Sequence, residues 1–170
     1  MQYNQELNIS LILEDQISSN NLNINGMMFD TIDMVVIDTK KIPHVGLPPP
    51  NPREYRVALH PDINSCEKAT VLFVTFEPNG STSLHTHEGD EIIYVIAGKG
   101  EAVEIKEGLK KVTPISEGSL VHAPEGQEHQ IINSAGSKMT IYCVFIPPLK
   151  PSKQAEIAFQ KAREYFGQKK

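Results

Sequence analysis

From residue 55 to residue 146 the chain is written in short β-branched and aromatic runs separated by turn residues, and this pattern constrains the fold most. The breaks fall at Pro78-Asn79-Gly80, Gly98-Lys99-Gly100, Glu107-Gly108, Glu117-Gly118, Pro124-Glu125-Gly126 and Ala135-Gly136. Each supplies Gly, Pro or Asn where a backbone must reverse. The runs between them predict strands near 55–60, 70–77, 82–87, 91–97, 100–106, 110–115, 119–123, 127–134 and 138–146. Many short strands at that spacing, without helices between them, predict an all-β sandwich or barrel.

The flanks read differently. Leu7, Ile9, Leu11 and Leu13 alternate as on an edge strand, Asn20 to Asn25 reads as a polar connector, and Thr31 to Asp38 predicts a second strand. Residues 43–52 hold five prolines in ten positions, which predicts an extended, unpaired loop of the kind that borders a binding site. After Pro147-Pro148, Ser152 is the expected N-cap of a helix reaching about Phe166, with Gly167 just past its end. Ala155, Ala158, Phe159, Ala162, Tyr165 and Phe166 repeat at helical spacing, so this helix is expected to pack on the barrel's outside. The expected organisation is an N-terminal extension over 1–54, a barrel over 55–149 and a C-terminal helix over 150–170.

Composition excludes several classes of function. A chain of 170 residues is long enough to bury a real core, and 39% hydrophobic with 22% charged residues is ordinary globular content. The net charge is −5 and no Lys/Arg stripe is present, so neither nucleic acid nor a membrane surface is an expected partner. The uninterrupted apolar runs, such as Met34–Ile37 and Ile92–Ala97, are strand-sized and too short to span a bilayer. Cys66 and Cys143 form no disulfide framework, and Met1 to Ser10 shows no leader pattern, so the cytoplasm is the expected compartment.

The chemistry concentrates in two stretches. In the first, His85 and His87 are separated by one residue, which on a strand points both imidazoles to one face. Glu91 follows after a turn signalled by Gly89, so the next strand can return its carboxylate to the same point. In the second, His129 opens a strand just after Pro124-Glu125-Gly126. Three imidazoles and a carboxylate make a borderline-hard donor set suited to a divalent transition metal: Fe, Mn, Ni, Zn, Co or Cu. Glu91, Ile93 and Val95 share the inward parity of their strand and His129 and Ile131 that of theirs, which predicts a mostly apolar cavity with a polar metal end. Tyr55 and Arg56 on the first barrel strand are candidates to anchor a substrate's carboxylate or hydroxyl. His44, His60 and His122 carry no such pattern; alternation turns His122 away from the ligands, and Cys143 reads as a small buried apolar residue.

Both stretches resemble the two signature motifs of the cupin superfamily. The first keeps its spacing at His85, His87, Glu91 and Gly98, although Gly80 stands one residue closer to His85 than the usual pattern. The second, Gly-x5-Pro-x-Gly-x2-His-x3-Asn, is met in full by Gly118, Pro124, Gly126, His129 and Asn133. The resemblance covers roughly 70–146 and implies a jelly-roll, or double-stranded β-helix, barrel holding a metal on His85, His87, Glu91 and His129. Asn133 reads as structural. The implied function is a metal-dependent enzyme acting on a small polar organic molecule by dioxygenase- or isomerase-type chemistry. The alternative is a cupin that binds or senses a small molecule without turning it over. A homodimer whose interface uses the N-terminal strands at 7–13 and 31–38 is also expected, since small jelly rolls commonly cover exposed sheet edges that way.

Overall fold

The computed structural model describes residues 21–24, 27–30, 34–47, 52–64, 66–153 and 155–168. The chain divides into two units, residues 1–37 and 38–170. In the first unit, β1 (Asn21–Ile24) and β2 (Met27–Asp30) form an antiparallel hairpin with Ile24 opposite Met27. This replaces the polar connector expected over 20–25. The signal was Asn25-Gly26, the dipeptide that two-residue hairpin turns favour most. The strand expected at 7–13 lies outside the described residues. Residues 34–37 carry no ladder, and Asp38 caps a short 3-10 turn at Thr39–Lys41 by accepting the Lys40 amide on its side chain at 3.1 Å, so the strand expected over 31–38 is not found among its described residues.

The second unit is built of β3 (Val45–Leu47), β4 (Arg53–Leu59), β5 (Thr70–Phe76), β6 (Asp90–Ala97), β7 (Lys99–Lys106), β8 (Leu109–Ser116), β9 (Leu120–Ala123), β10 (Glu128–Ile132), β11 (Met139–Ile146) and helix α1 (Glu156–Gly167). A six-stranded antiparallel sheet runs β3-β4-β5-β11-β6-β9 and a three-stranded one runs β10-β7-β8. β3 corrects the expectation of an unpaired proline loop. Its three residues fall between Pro43 and Pro48, keep their amide hydrogens, and need pair only with β4 on one side.

Period-two alternation explains the core. On β11, Met139, Ile141, Cys143 and Phe145 are buried while their neighbours are partly exposed, and on β6 Ile93 and Val95 are fully buried beside exposed Tyr94 and Ile96. Each large apolar side chain removed from water in this way contributes ~1.5–3 kcal/mol. Helix α1 buries Ala158, Phe159 and Ala162, with the Phe159 ring edge-on to His60 at 5.0 Å. It begins four residues later than its expected N-cap. Ser152 still caps this turn, its Oγ accepting the Ala155 amide at 3.3 Å while its carbonyl accepts the amides of Ala155 and Glu156, each at 2.9 Å. Among the described residues, no helix is long and apolar enough to cross a membrane.

The segment 81–87 departs from the expected regular strand. Its ladder pairing with β10 is limited to two isolated bridges, Ser81 with Ile132 and His85 with His129. Between them three residues, Thr82 to Leu84, face two, Gln130 and Ile131, so the segment bulges. The Thr82 side chain bridges the gap: its Oγ1 accepts from the Ile131 amide at 3.0 Å while its own amide donates to the Ile131 carbonyl at 2.9 Å. Gly80, one residue closer to His85 than the family pattern, opens the bulge where a Cβ would lie 2.5 Å from the Pro52 carbonyl oxygen.

Candidate metal centre

Three elements deliver the four candidate donors. The bulged segment carries His85 and His87, the first inward position of β6 carries Glu91, and the start of β10 carries His129. The approach to His129 is a tight turn, in which the Gln127 amide donates to the Pro124 carbonyl at 3.0 Å and Gly126 takes φ +75°, the third-position conformation of a type II turn. The Gly126 amide also donates to the His87 carbonyl at 3.0 Å, tying the two histidine-bearing stretches together. Asn133 fixes the far end of β10. Its Nδ2 donates to the carbonyls of Glu77 (3.0 Å) and Ser137 (2.7 Å), and its Oδ1 accepts from the Ala135 amide. It is fully buried and far from a ligand role.

One donor atom from each of His85, His87, Glu91 and His129 lies within 4.8 Å of every other. Two nitrogens on one ion at ~2.1 Å are at most ~4.2 Å apart, so small side-chain rotations close the group on a single ion. The ring nitrogens are assigned by their partners. His85 Nδ1 lies 2.7 Å from the Ser83 carbonyl and His129 Nδ1 lies 2.8 Å from the Gln127 carbonyl. A carbonyl can only accept, so both Nδ1 atoms carry hydrogen and both Nε2 atoms face the group, which is how outer partners orient metal-binding imidazoles.

The charges are arranged around Glu91. It is 5% exposed, and its Oε2 accepts from His129 Nε2 at 2.9 Å and lies 3.2 Å from His87 Nε2. Burial alone pushes its carboxyl up, but the hydrogen bond from His129 and the close His87 imidazole outweigh that and hold it at about 2. Burial likewise pushes His129 down, and the bonds to Glu91 and to the Gln127 carbonyl reverse it and raise the imidazole above 6.5. Without an ion, the pair is an imidazolium and a carboxylate. His85 is lowered from 6.5, chiefly by burial, so its Nε2 presents a lone pair. The 3.2 Å approach of His87 Nε2 to Glu91 lacks hydrogen-bond geometry. That nitrogen is the one buried side-chain polar atom among the described residues without a hydrogen-bond partner. An orphaned imidazole nitrogen inside a ring of three further donors fits a divalent ion and is costly otherwise.

A cavity of about 120 Å³ lies against the group, walled by Leu72, Val74, Ile131, Ile141, Cys143 and Phe145. Tyr55 and Ile131 therefore line it as the sequence indicates. Ile93 and Val95 have the inward parity but sit in the solid core rather than on the cavity wall. Arg56 is on the opposite face of β4, its guanidinium 5.5 Å from the Phe73 ring and its Nη1 donating to the Thr39 carbonyl. The arginine at the site is Arg53, which shares the parity of Tyr55. No motif marks it; the signal was its spacing of two from Tyr55 on one strand. His44 is exposed, His122 is half exposed and 3.4 Å from Asp90, and buried His60 bonds to Leu149, so none joins the group.

Fold and donor set define a double-stranded β-helix protein with a group of three histidines and one glutamate that could hold a metal. Residues 72–145 match the cupin domain family. It is 35% identical over 75 residues to an L-ectoine synthase of Hahella chejuensis, a match covering 44% of this chain and 54%, about half, of that relative. Among solved structures it is similar to a predicted oxalate decarboxylase of Thermotoga maritima, with 23% identity, TM-score 0.59, and 66% of this chain and 99% of that one covered. It is also similar to Bacillus subtilis oxalate decarboxylase, a protein with Mn(II) centres, with 19% identity, TM-score 0.59, and 69% of this chain and 30% of that one covered. At these identities the two structures speak for the fold.

Proposed function

We propose that the chain is a metal-dependent enzyme acting on a small polar organic molecule at His85, His87, Glu91 and His129. The observation that carries this is the convergence of three Nε2 atoms and a buried carboxylate, two of the imidazoles locked by carbonyls behind them. A divalent ion held there supplies a Lewis acid that polarises a carbonyl or lowers the pKa of a bound oxygen. The residues of the chain supply the rest. The apolar walls of the inner cavity limit water, the carbonyls of Ser83 and Gln127 hold the imidazoles in register, and the proton on His129 Nε2 leaves when an ion takes its place.

An ion held by His85, His87, Glu91 and His129 would leave room for substrate oxygens beside these donors, as dioxygenase- or isomerase-type chemistry would require. The relatives' names, a synthase and decarboxylases, support catalysis without fixing its type. Mn, as in the Bacillus subtilis neighbour, joins Fe, Ni, Zn, Co and Cu as ions for this donor set. Free Cys66 and Cys143 suit the cytoplasm, where we place the protein.

The test is elemental analysis of protein purified without a metal-affinity step, followed by turnover screening with and without O2. One ion per chain is expected, lost in H87A and E91A together with turnover. O2-dependent turnover supports the dioxygenase, and anaerobic turnover the isomerase. Full turnover in a metal-free chain refutes the reading.

A further inference from the structure

A second, outer cavity of about 480 Å³ shares Tyr55, Thr82, His85 and His87 with the inner one and is bordered by Arg53, Lys150 and Lys153. That volume is within the range of sites for small organic ligands. No carboxylate of the described residues lines it, although the chain as a whole carries a net charge of −5. Arg53, Lys153 and Lys150, the last paired with Glu88 at the rim, concentrate positive charge at the entrance to the metal group.

Arg53 is the fixed member of the three. It is 7% exposed, and its guanidinium is positioned by Nε donating to the Tyr55 hydroxyl at 2.8 Å and Nη1 donating to the Ser81 carbonyl at 3.0 Å. A guanidinium pinned in this way is a preorganised planar cation beside the cavity, suited to a carboxylate. Tyr55 receives the Arg53 bond on its oxygen. Its own hydroxyl proton has no acceptor among the described residues and sits where both cavities meet. Burial holds that proton on the phenol, whose pKa is raised above 10.0. The exposed Lys150, which pairs with Glu88 at 2.9 Å, and exposed Lys153 add charge at the rim.

We infer that the molecule this site accepts is a small organic anion, its carboxylate held in the outer cavity by Arg53 and the Tyr55 hydroxyl while the rest of it reaches the three-histidine group. The inference rests on the metal-enzyme reading for the reaction, but the recognition of the anion stands on Arg53 and Tyr55.

The experiment loads the full chain with Co(II), whose visible bands report on its ligands, and titrates it with glycolate and oxalate against their uncharged amides, glycolamide and oxamide. The carboxylates are expected to shift the bands at concentrations at least about tenfold below the amides, as loss of a charged hydrogen bond implies. Arg53→Gln should weaken the carboxylates by about 10- to 100-fold and leave the amides and Co(II) uptake as they were. Arg53→Lys, which keeps the charge but not the planar guanidinium, should fall between. Tyr55→Phe removes one hydroxyl and should cost the carboxylates several-fold; with Arg53→Lys it decides the matter if Arg53→Gln does not fold. Lys150→Gln with Lys153→Gln should weaken carboxylates only at low salt. Equal binding of acids and amides, or unchanged carboxylate binding in folded Arg53 and Tyr55 variants, overturns the inference. If the chain takes up no Co(II), the metal reading falls separately. Calorimetry of oxalate on the metal-free chain then decides: binding that Arg53→Gln abolishes sustains the inference, and no binding overturns it.

Discussion

The pairing of Glu91 with His129 can be tested on the metal-free chain alone. Holding the Glu91 carboxyl at about 2 instead of its ordinary 4.5 corresponds to ~3 kcal/mol of interaction. The raised pKa of His129 reports the same contact from the other side, so the energy is counted once. The signs follow by linkage. A depressed carboxyl stabilises fully above pH 4.5 and loses that contribution as pH falls toward 2; a raised imidazole stabilises fully below 6.5 and loses it as pH rises through its folded value. Metal-free stability from this pair is therefore greatest between pH 4.5 and 6.5. Glu91→Gln removes the charge on which both shifts depend, and should destabilise by ~2–3 kcal/mol on that plateau and by little in strong acid. Its His129 should titrate below the wild-type value. Urea unfolding in chelator at several pH values, with the His129 ring followed by NMR, measures both. A gap between wild type and variant that stays constant across pH, or widens in acid, refutes the assignment of the buried carboxylate–imidazolium pair.

Two further predictions concern the scaffold. Asn133→Ala strands the carbonyls of Glu77 and Ser137 and the Ala135 amide in a fully buried place, and should cost ~3–5 kcal/mol in denaturant unfolding while leaving the metal stoichiometry of folded protein intact. We also propose a homodimer, which light scattering at micromolar concentration should register as twice 18.9 kDa; a monomeric mass contradicts it. The edge strand β8 is a poor interface for it, since Lys110, Lys111 and Pro114 mark it against pairing, so truncation before residue 38 is expected to release monomers.

Much of the fold was legible because its determinants are local. Turn residues and period-two alternation located the strands from β4 to β11 to within two residues, apart from the segment 82–87. That segment has strand-like residues but its path is set by a pairing defect: one extra residue opposite β10, repaired by the Thr82 hydroxyl. No alternation pattern encodes a bulge. β3 was hidden for the opposite reason, since prolines on both sides dominate the composition while three ordinary residues between them are free to pair.

The site divides along the same line. His85, His87, Glu91 and His129 converge because each is tied to a turn or strand start only a few residues away, so motif spacing alone identifies them. Tyr55 and Arg56 were neighbours with equal claims on a substrate, yet adjacent residues on a strand cannot face the same cavity. Once Tyr55 points inward, Arg56 must point out to Phe73 and the inward arginine must be Arg53. Parity along β4 thus decides which cation meets the metal group, and it cannot be decided from β4 alone: Arg53, Tyr55 and Val57 face inward because they pair with Phe76, Val74 and Leu72, whose side chains fill the core. Shifting that register by one residue would bring Arg56 inward only by exposing Tyr55 and Val57, so the packing of β5 selects the arginine.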